Sequence, residues 1–249
     1  MAAADRKHTD PARLIGRRGF LLAAGAAAAI LPLSPLEAFA GDSLLRRAIR
    51  RAGGRKVLRR VRLLSWDGEA TVFDGDRRIE LGVSTIVAPF ASARSTSWLL
   101  SQGKASARTM IISDTGGRVE RNGRIEELPA RLVAHERAQF AMYGLMLLAP
   151  LEGGGASIRQ VDIPSSRFDI LRVSHKQAPL TRLFFESDGR LAEAVDTVPH
   201  PETGRPVRQR FVFSEQQMPG PVHWPRTIRI EQEGKLYFEL RLTRFEAVT

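Results

Sequence analysis

Between Ser43 and Phe73 the chain changes its hydrophobic period. Leu44, Leu45, Ala48, Ile49 and Ala52 recur at helical spacing, while Arg46, Arg47, Arg50 and Arg51 fall largely outside that stripe. The spacing predicts a short amphipathic helix with a basic face. Gly53-Gly54 then stops it, because a helix end commonly needs a residue at positive φ. Val57, Leu58 and Val61 resume an apolar pattern for a further turn and lead into a strand over Arg62–Phe73, with a break expected near Asp67-Gly68. An amphipathic helix needs an apolar surface to cover, and nearly everything after it reads as strand.

Asp74-Gly75 is a hairpin turn signal. Ile79, Leu81, Val83, Thr85 and Val87 then alternate with other residues, the period of a strand with one buried face. Pro89 ends that run. Ser95–Ser101 and Arg108–Ser113 follow as strand candidates, and Asn122-Gly123 joins Arg118–Arg121 to Arg124–Glu127 through a turn suited to type I′. The long helical segment runs from Pro129 to about Leu148. It is polar early and apolar nearly all round later, which predicts burial of its C-terminal half. Pro150 and Gly153-Gly154-Gly155 close it with a loop. Phe168–Val173, Leu180–Glu186, Arg190–Val198, Arg205–Phe213, Thr227–Gln232 and Lys235–Phe245 return to strand, with turns at Asp188-Gly189, Pro199–Gly204 and Glu233-Gly234. The count is about eleven strands and two or three helices, with no βαβ alternation. That predicts an antiparallel α+β fold, a curved sheet with helices laid on it. No internal repeat or linker divides the chain, so residues 41–249 are expected to form one domain.

Composition adds three things. Hydrophobic residues make up 43% of the 249, enough for a substantial core. The net charge of +11 favours anionic partners. The absence of cysteine excludes disulfides, thiolate metal sites, cysteine nucleophiles and a lipid-modified cysteine anchor. Residues 1–40 have the make-up of an export signal. Arg17-Arg18-Gly19-Phe20-Leu21-Leu22 resembles the twin-arginine motif, although Gly16 stands where Ser or Thr is usual. The uncharged run Phe20–Leu33 is 14 residues long, short of the ~20 a membrane helix needs. Ala38-Phe39-Ala40 has the A-x-A form of a cleavage site, so cleavage is expected after Ala40 and the mature protein in the periplasm.

Motifs for catalysis are sparse. His135, His175, His200 and His223 have no second histidine at metal-ligand spacing, and His135-Glu136 is not part of an H-E-x-x-H motif. No G-x-S-x-G, P-loop or G-x-G-x-x-G occurs. A triad assembled by folding is open to any chain with Ser, His and acids. The expectation is nonetheless a protein without catalytic residues, metal or cofactor, whose histidines serve turns and surface. The basic cluster Arg46–Arg62 lacks interleaved aromatics for base stacking, and an exported protein meets little nucleic acid. Arg46, Arg47, Arg50 and Arg51 are therefore read as a solvated face or as a docking surface for an anionic membrane or an acidic partner. Trp66, Phe90, Trp98, Met110, Ile112, Phe184, Phe211 and Phe213 sit on different predicted strands or their turns. In a curved sheet such residues pack as core or line a cavity.

Three stretches resemble the LolA/LolB-like lipoprotein-carrier superfamily. One is the opening helix running into Ala52-Gly53-Gly54, then Leu58 and a strand with Gly68. Another is Leu128-Pro129 followed by a helix ending at Leu147-Leu148-Ala149-Pro150-Leu151. The last is Gly220-Pro221-Val222-His223-Trp224-Pro225-Arg226-Thr227-Ile228 followed by Glu233-Gly234 and a final strand. The resemblance spans most of residues 43–247. It implies an incomplete antiparallel β-barrel of about eleven strands with helices on the concave side, and a hydrophobic cavity that holds acyl chains without catalysis; the leading expectation is a monomeric carrier of a lipid or an acylated protein. Trp66, Phe90, Trp98, Met110, Ile112, Phe140, Tyr143, Leu147, Phe184, Phe211 and Phe213 are the residues expected to meet acyl chains. The superfamily also holds stress-signalling regulators, so a protein-interaction or sensor module is the alternative, and a lipid or envelope hydrolase a second one.

Overall fold

The computed structural model describes residues 35–153 and 155–249, with side chains described from residue 43 onward. The export signal expected over residues 1–40 therefore lies largely outside the described residues.

Helix α1 (Pro35–Arg51) carries the predicted stripe. Leu44, Leu45, Ala48 and Ile49 are buried, while Arg46 and Arg50 are exposed. Its apolar face packs on strands β7 (Ala156–Val161) and β8 (Asp169–His175). Gly53 at φ 128° and Gly54 at φ 87° end the helix as the sequence indicates, and α2 (Arg55–Leu58) adds one turn that buries Leu58.

Strands β1 (Leu63–Asp74) and β2 (Arg77–Ala88) form the first long hairpin. The break expected in β1 is real: its pairing with β15 (Lys235–Val248) shifts register between Asp67 and Gly68. Strands β3 (Ser92–Leu99), β4 (Arg108–Ile112), β5 (Gly117–Arg121) and β6 (Arg124–Glu127) continue as a meander. At the β5–β6 turn Asn122 and Gly123 both take positive φ, 50° and 73°, as a type I′ turn demands. Helix α3 (Ala130–Met146) is solvent-facing early and buried from Ala141 onward, as its sequence predicts. Beyond β8 come β9 (Ala178–Phe185), β10 (Leu191–Pro199) and β11 (Pro206–Phe213). The short strands β12 (Gln217–Met218) and β13 (Trp224–Pro225) pair only with each other, and β14 (Thr227–Gln232) precedes β15.

The main sheet has thirteen antiparallel strands in the order β6-β5-β4-β3-β2-β1-β15-β14-β11-β10-β9-β8-β7, with both edges open. The sequence-based count of about eleven is too low. Edge strand β7 escapes the strand pattern because Gln160 faces inward and Val161 outward, which blurs its alternation. Strands β12 and β13, which lie outside this sheet, are two residues long and leave no periodic signal.

The sheet curls around α3, which packs on β9 and β10 from one side and on β3 and β4 from the other. At one end the curl brings the β2–β3 and β8–β9 turns together. The Phe90 ring stacks on His175 at 4.1 Å, and Gln177 Nε2 donates to the Phe90 carbonyl at 3.2 Å.

Gly53 joins the opening helix to the far end of the chain. A Cβ there would lie 2.3 Å from the Pro221 carbonyl oxygen, whereas one at Gly54 would meet nothing within 4 Å. Gly53→Ala is expected to destabilise the fold by about 1–3 kcal/mol from backbone strain alone, with the steric clash added. Gly54→Ala is expected to cost less, and urea denaturation midpoints compare the two.

Candidate functional site

Alternation along each strand sorts its side chains between two faces of the curled sheet. On the inner face Trp66 of β1 lies 4.8 Å, centroid to centroid, from Tyr143 of α3. Phe140, one turn earlier on α3, is 6.2 Å from Tyr143. Trp224, which sequence reasoning did not single out, continues the cluster: it is 6.3 Å from Tyr143 and stacks on Phe245 at 4.9 Å. Phe211 and Phe213 line β11 with ring centroids 6.4 Å apart. Met110 and Ile112 face inward from β4, opposite Ser95 and Ala93 of β3. Leu147 is buried just past the end of α3. Phe90 sits at the turn, with its ring against Gly144.

Two of the candidate residues lie on the other face. Trp98 pairs with Gly82, and its indole covers the side of Gly82 that a Cβ would occupy, opposite to the buried Val83. Lys104 lies over that ring at 5.5 Å. Phe184 alternates with the core residues Leu183 and Phe185 and meets Phe168 edge-on at 6.1 Å. Trp98 and Phe184 are thus separated by the sheet from the other nine.

Among the described residues, side chains leave little open space on the inner side. A cavity of about 30 Å³ lies between α1 and β13, lined by Ala48, Met146 and Trp224 among others. Another of about 30 Å³ lies beside Phe90, Ile112 and Phe140. Each is far below the ~300 Å³ at which ligand pockets begin. The segment bounding this space carries strain: Leu148, fully buried, stands at φ 58° between α3 and the 3-10 turn Ala149–Glu152. A branched side chain rarely adopts that backbone.

Three polar side chains face the interior and were not legible as site residues. Glu136 of α3 is pushed up to about 7 by burial, with Arg108 opposing. Asp196 of β10 and Gln209 of β11 are directly opposed in register, are 3% and 0% exposed, and make no hydrogen bond with their side-chain atoms among the described residues. Burial alone raises Asp196 to about 7. The signal available in the sequence was positional, since Asp196 shares the inward period of Ala192, Ala194 and Val198.

The histidines are structurally engaged. His135 is buried, contrary to the turn or surface role expected of it. Its Nδ1–H donates to the Pro199 carbonyl at 2.8 Å and its Nε2 accepts from Gln139 at 2.8 Å. His200 Nδ1 accepts from the amides of Glu202 and Thr203 at 3.1 and 3.3 Å, a turn role as expected. Two of the four arginines read as a docking face are engaged inside the molecule: Arg47 pairs with Asp169, and Arg51 with Asp188 at 3.0 Å.

Asp196 and Glu136 have a consequence for stability. Between its ordinary value of 3.8 and about 7, Asp196 keeps its proton in the folded chain and loses it in the unfolded one. Fewer protons bound in the unfolded state mean that stability falls as pH rises through this window. Glu136, raised from 4.5 to about 7, acts in the same direction. Thermal midpoints are expected to fall between pH 4 and 7, and Asp196→Asn is expected to flatten that slope. A wild-type profile rising with pH would contradict the burial of both acids.

No protein-family model matches the chain, and no curated protein matches it in sequence. Solved structures do match its fold. A LolA superfamily protein from Nitrosomonas europaea superposes with a TM-score of 0.52 at 10% identity, covering 84% of this chain and 94% of that one. An outer-membrane lipoprotein-sorting protein domain, so assigned, from Vibrio parahaemolyticus gives 0.51 at 9% identity, covering 84% and 92%. A DUF1329 family protein from Desulfovibrio piger gives 0.52 at 8% identity, covering 83% and 92%. The resemblance seen in the sequence thus holds at the level of architecture: the chain has the fold of the LolA superfamily.

Proposed function

We propose that this protein is an exported, periplasmic, non-catalytic carrier that shelters the acyl chains of a lipid or an acylated protein between α3 and the inner face of its sheet. The observation that carries this reading is the inner face itself. It is predominantly apolar, including Trp66, Phe211 and Phe213, and is closed by a helix whose buried half is apolar all round. One neighbour of the same fold is assigned to outer-membrane lipoprotein sorting, which supports the reading. Each buried methylene would contribute ~0.8 kcal/mol.

The small cavities mean that loading requires α3 to move. The strained Leu148 marks the end at which it can pivot, and the contact of Val133 with Gly117 marks the end that would swing away. Of the candidate residues, Trp66, Phe90, Met110, Ile112, Phe140, Tyr143, Leu147, Phe211 and Phe213 would meet the chains. Trp98 and Phe184 would not. The filled interior favours a second reading, a protein-interaction module in which the helix never leaves.

A fluorescent fatty-acid probe and mass spectrometry of solvent-extracted protein separate the two. The carrier reading expects co-purified acyl species and saturable probe uptake; absence of both leaves the interaction module. The lid is tested separately. A Cβ at Gly117 would lie 3.0 Å from Val133 Cγ2, close enough for Gly117→Cys/Val133→Cys to bridge in a chain without other thiols. Oxidised, the variant is expected to lose probe uptake, and reduced, to regain it. Equal uptake in both states would remove α3 from the mechanism.

A further inference from the structure

The outer face of strands β7–β11 carries a row of arginines that nothing in the carrier reading uses. Arg159 pairs in register with Arg172, and Arg172 with Arg182. The next positions across are Val195 and then Arg210. Adjacent strands lie ~4.8 Å apart, so three guanidinium-bearing side chains stand directly beside one another. Like charges facing each other across a sheet are destabilising.

Elsewhere on this molecule the same problem is solved with acids. Arg210 is held between Glu193 and Glu231 at 2.6 and 3.0 Å, Arg190 by Glu186 at 3.3 Å, and Arg94 and Arg118 share Glu120 at 3.6 and 3.1 Å. Arg159, Arg172 and Arg182 have no such partner among the described residues. They line a depression of about 720 Å³ together with Arg208, Leu180 and Val195, and the acids there are the exposed Asp162 and the buried Asp196. Four guanidinium groups against one exposed carboxylate, with Asp196 buried opposite Gln209, make a site for anionic oxygens, which arginine binds bidentately.

The rim identifies the source of those oxygens. Leu180 stands within the arginine cluster with 51% of its surface exposed, and Ile163, next to Asp162, with 40%. A soluble anion has no use for exposed aliphatic side chains, whereas a phospholipid interface meets guanidinium at its phosphates and leucine at its acyl boundary. The α1 arginines are a weaker choice for this task, since Arg47 and Arg51 are already paired.

We propose that the Arg159–Arg172–Arg182 row binds the phosphates of anionic phospholipid headgroups, so that the protein docks on a membrane through the outer face of its sheet. The helix-covered side then stays free to exchange cargo. The purpose of the docking rests on the carrier reading; the binding itself does not.

Flotation with phosphatidylcholine vesicles, with and without phosphatidylglycerol, tests it. The wild-type protein is expected to bind only the anionic vesicles, and less as salt rises. Arg172→Gln/Arg182→Gln is expected to bind about 30-fold more weakly. Its thermal midpoint should be unchanged or higher, because a like-charge contact is relieved; a purely structural role would lower it. Arg229→Gln, which removes a cation paired with Glu239 on a neighbouring strand, is the control and is expected to bind as wild type. Equal binding by the double variant overturns the proposal. So does binding of inorganic tripolyphosphate without any binding of vesicles, which would make the row a site for soluble anions. Probe uptake by the same variants should be unaltered. A wild type that takes up no probe but floats with anionic vesicles would defeat the carrier reading alone.

Discussion

The structure depends on covering one face of a very wide open sheet. Thirteen strands present an inner surface that no single element of this chain can bury, and the contact that closes it is the aromatic run Trp66–Tyr143–Trp224–Phe245. Each ring comes from a different part of the sequence: β1, α3, β13 and β15. Aromatic side chains bury the largest areas and gain further from tilted or offset stacking. The short β12–β13 pair is intelligible in this light, because it holds Trp224 where α3 needs a partner. Gly53 serves the same closure, since its missing side chain lets the end of α1 approach the Pro221 backbone beside Trp224.

Most of the architecture was legible because its signals are local. The helix stripe of α1, the Asp-Gly and Asn-Gly turns, the break at Asp67-Gly68 and the late burial of α3 each follow from spacing or turn chemistry within a dozen residues. The candidate site was legible only in part. Apolar residues on strands announce burial, but not which face they occupy, and register shifts decide that. Trp98 lies outside because it opposes Gly82, a pairing no single-strand pattern contains. Phe184 lies outside because Leu183 and Phe185, equally apolar, take the inner positions. The arginine row was invisible for the same reason: Arg159, Arg172 and Arg182 belong to three strands, and only their pairing makes them neighbours.

The two faces divide the chemistry. Inside, charge is suppressed: Asp196 and Glu136 are both raised to about 7 and favour the protonated form below that pH. Outside, charge is concentrated and, along one row, left unneutralised. A sheet can support this division because its side chains alternate, so a strand adds an arginine to one face without disturbing the core on the other. A helix of the same length would spread those residues around its circumference.

The filled interior bears on how a carrier of this build would work. A permanently hollow pocket binds its ligand with the full hydrophobic gain and releases it slowly. In this protein an entering acyl chain would displace the apolar half of α3, so the surface gained by the ligand is set against surface lost by Met142, Tyr143 and Met146. Both terms scale with apolar area and partly cancel. Strain at Leu148 lies at the same junction and would lower the cost of moving α3 away. Net affinity is then a difference of two comparable terms, which is the condition a protein needs if it must give up its cargo without consuming energy of its own.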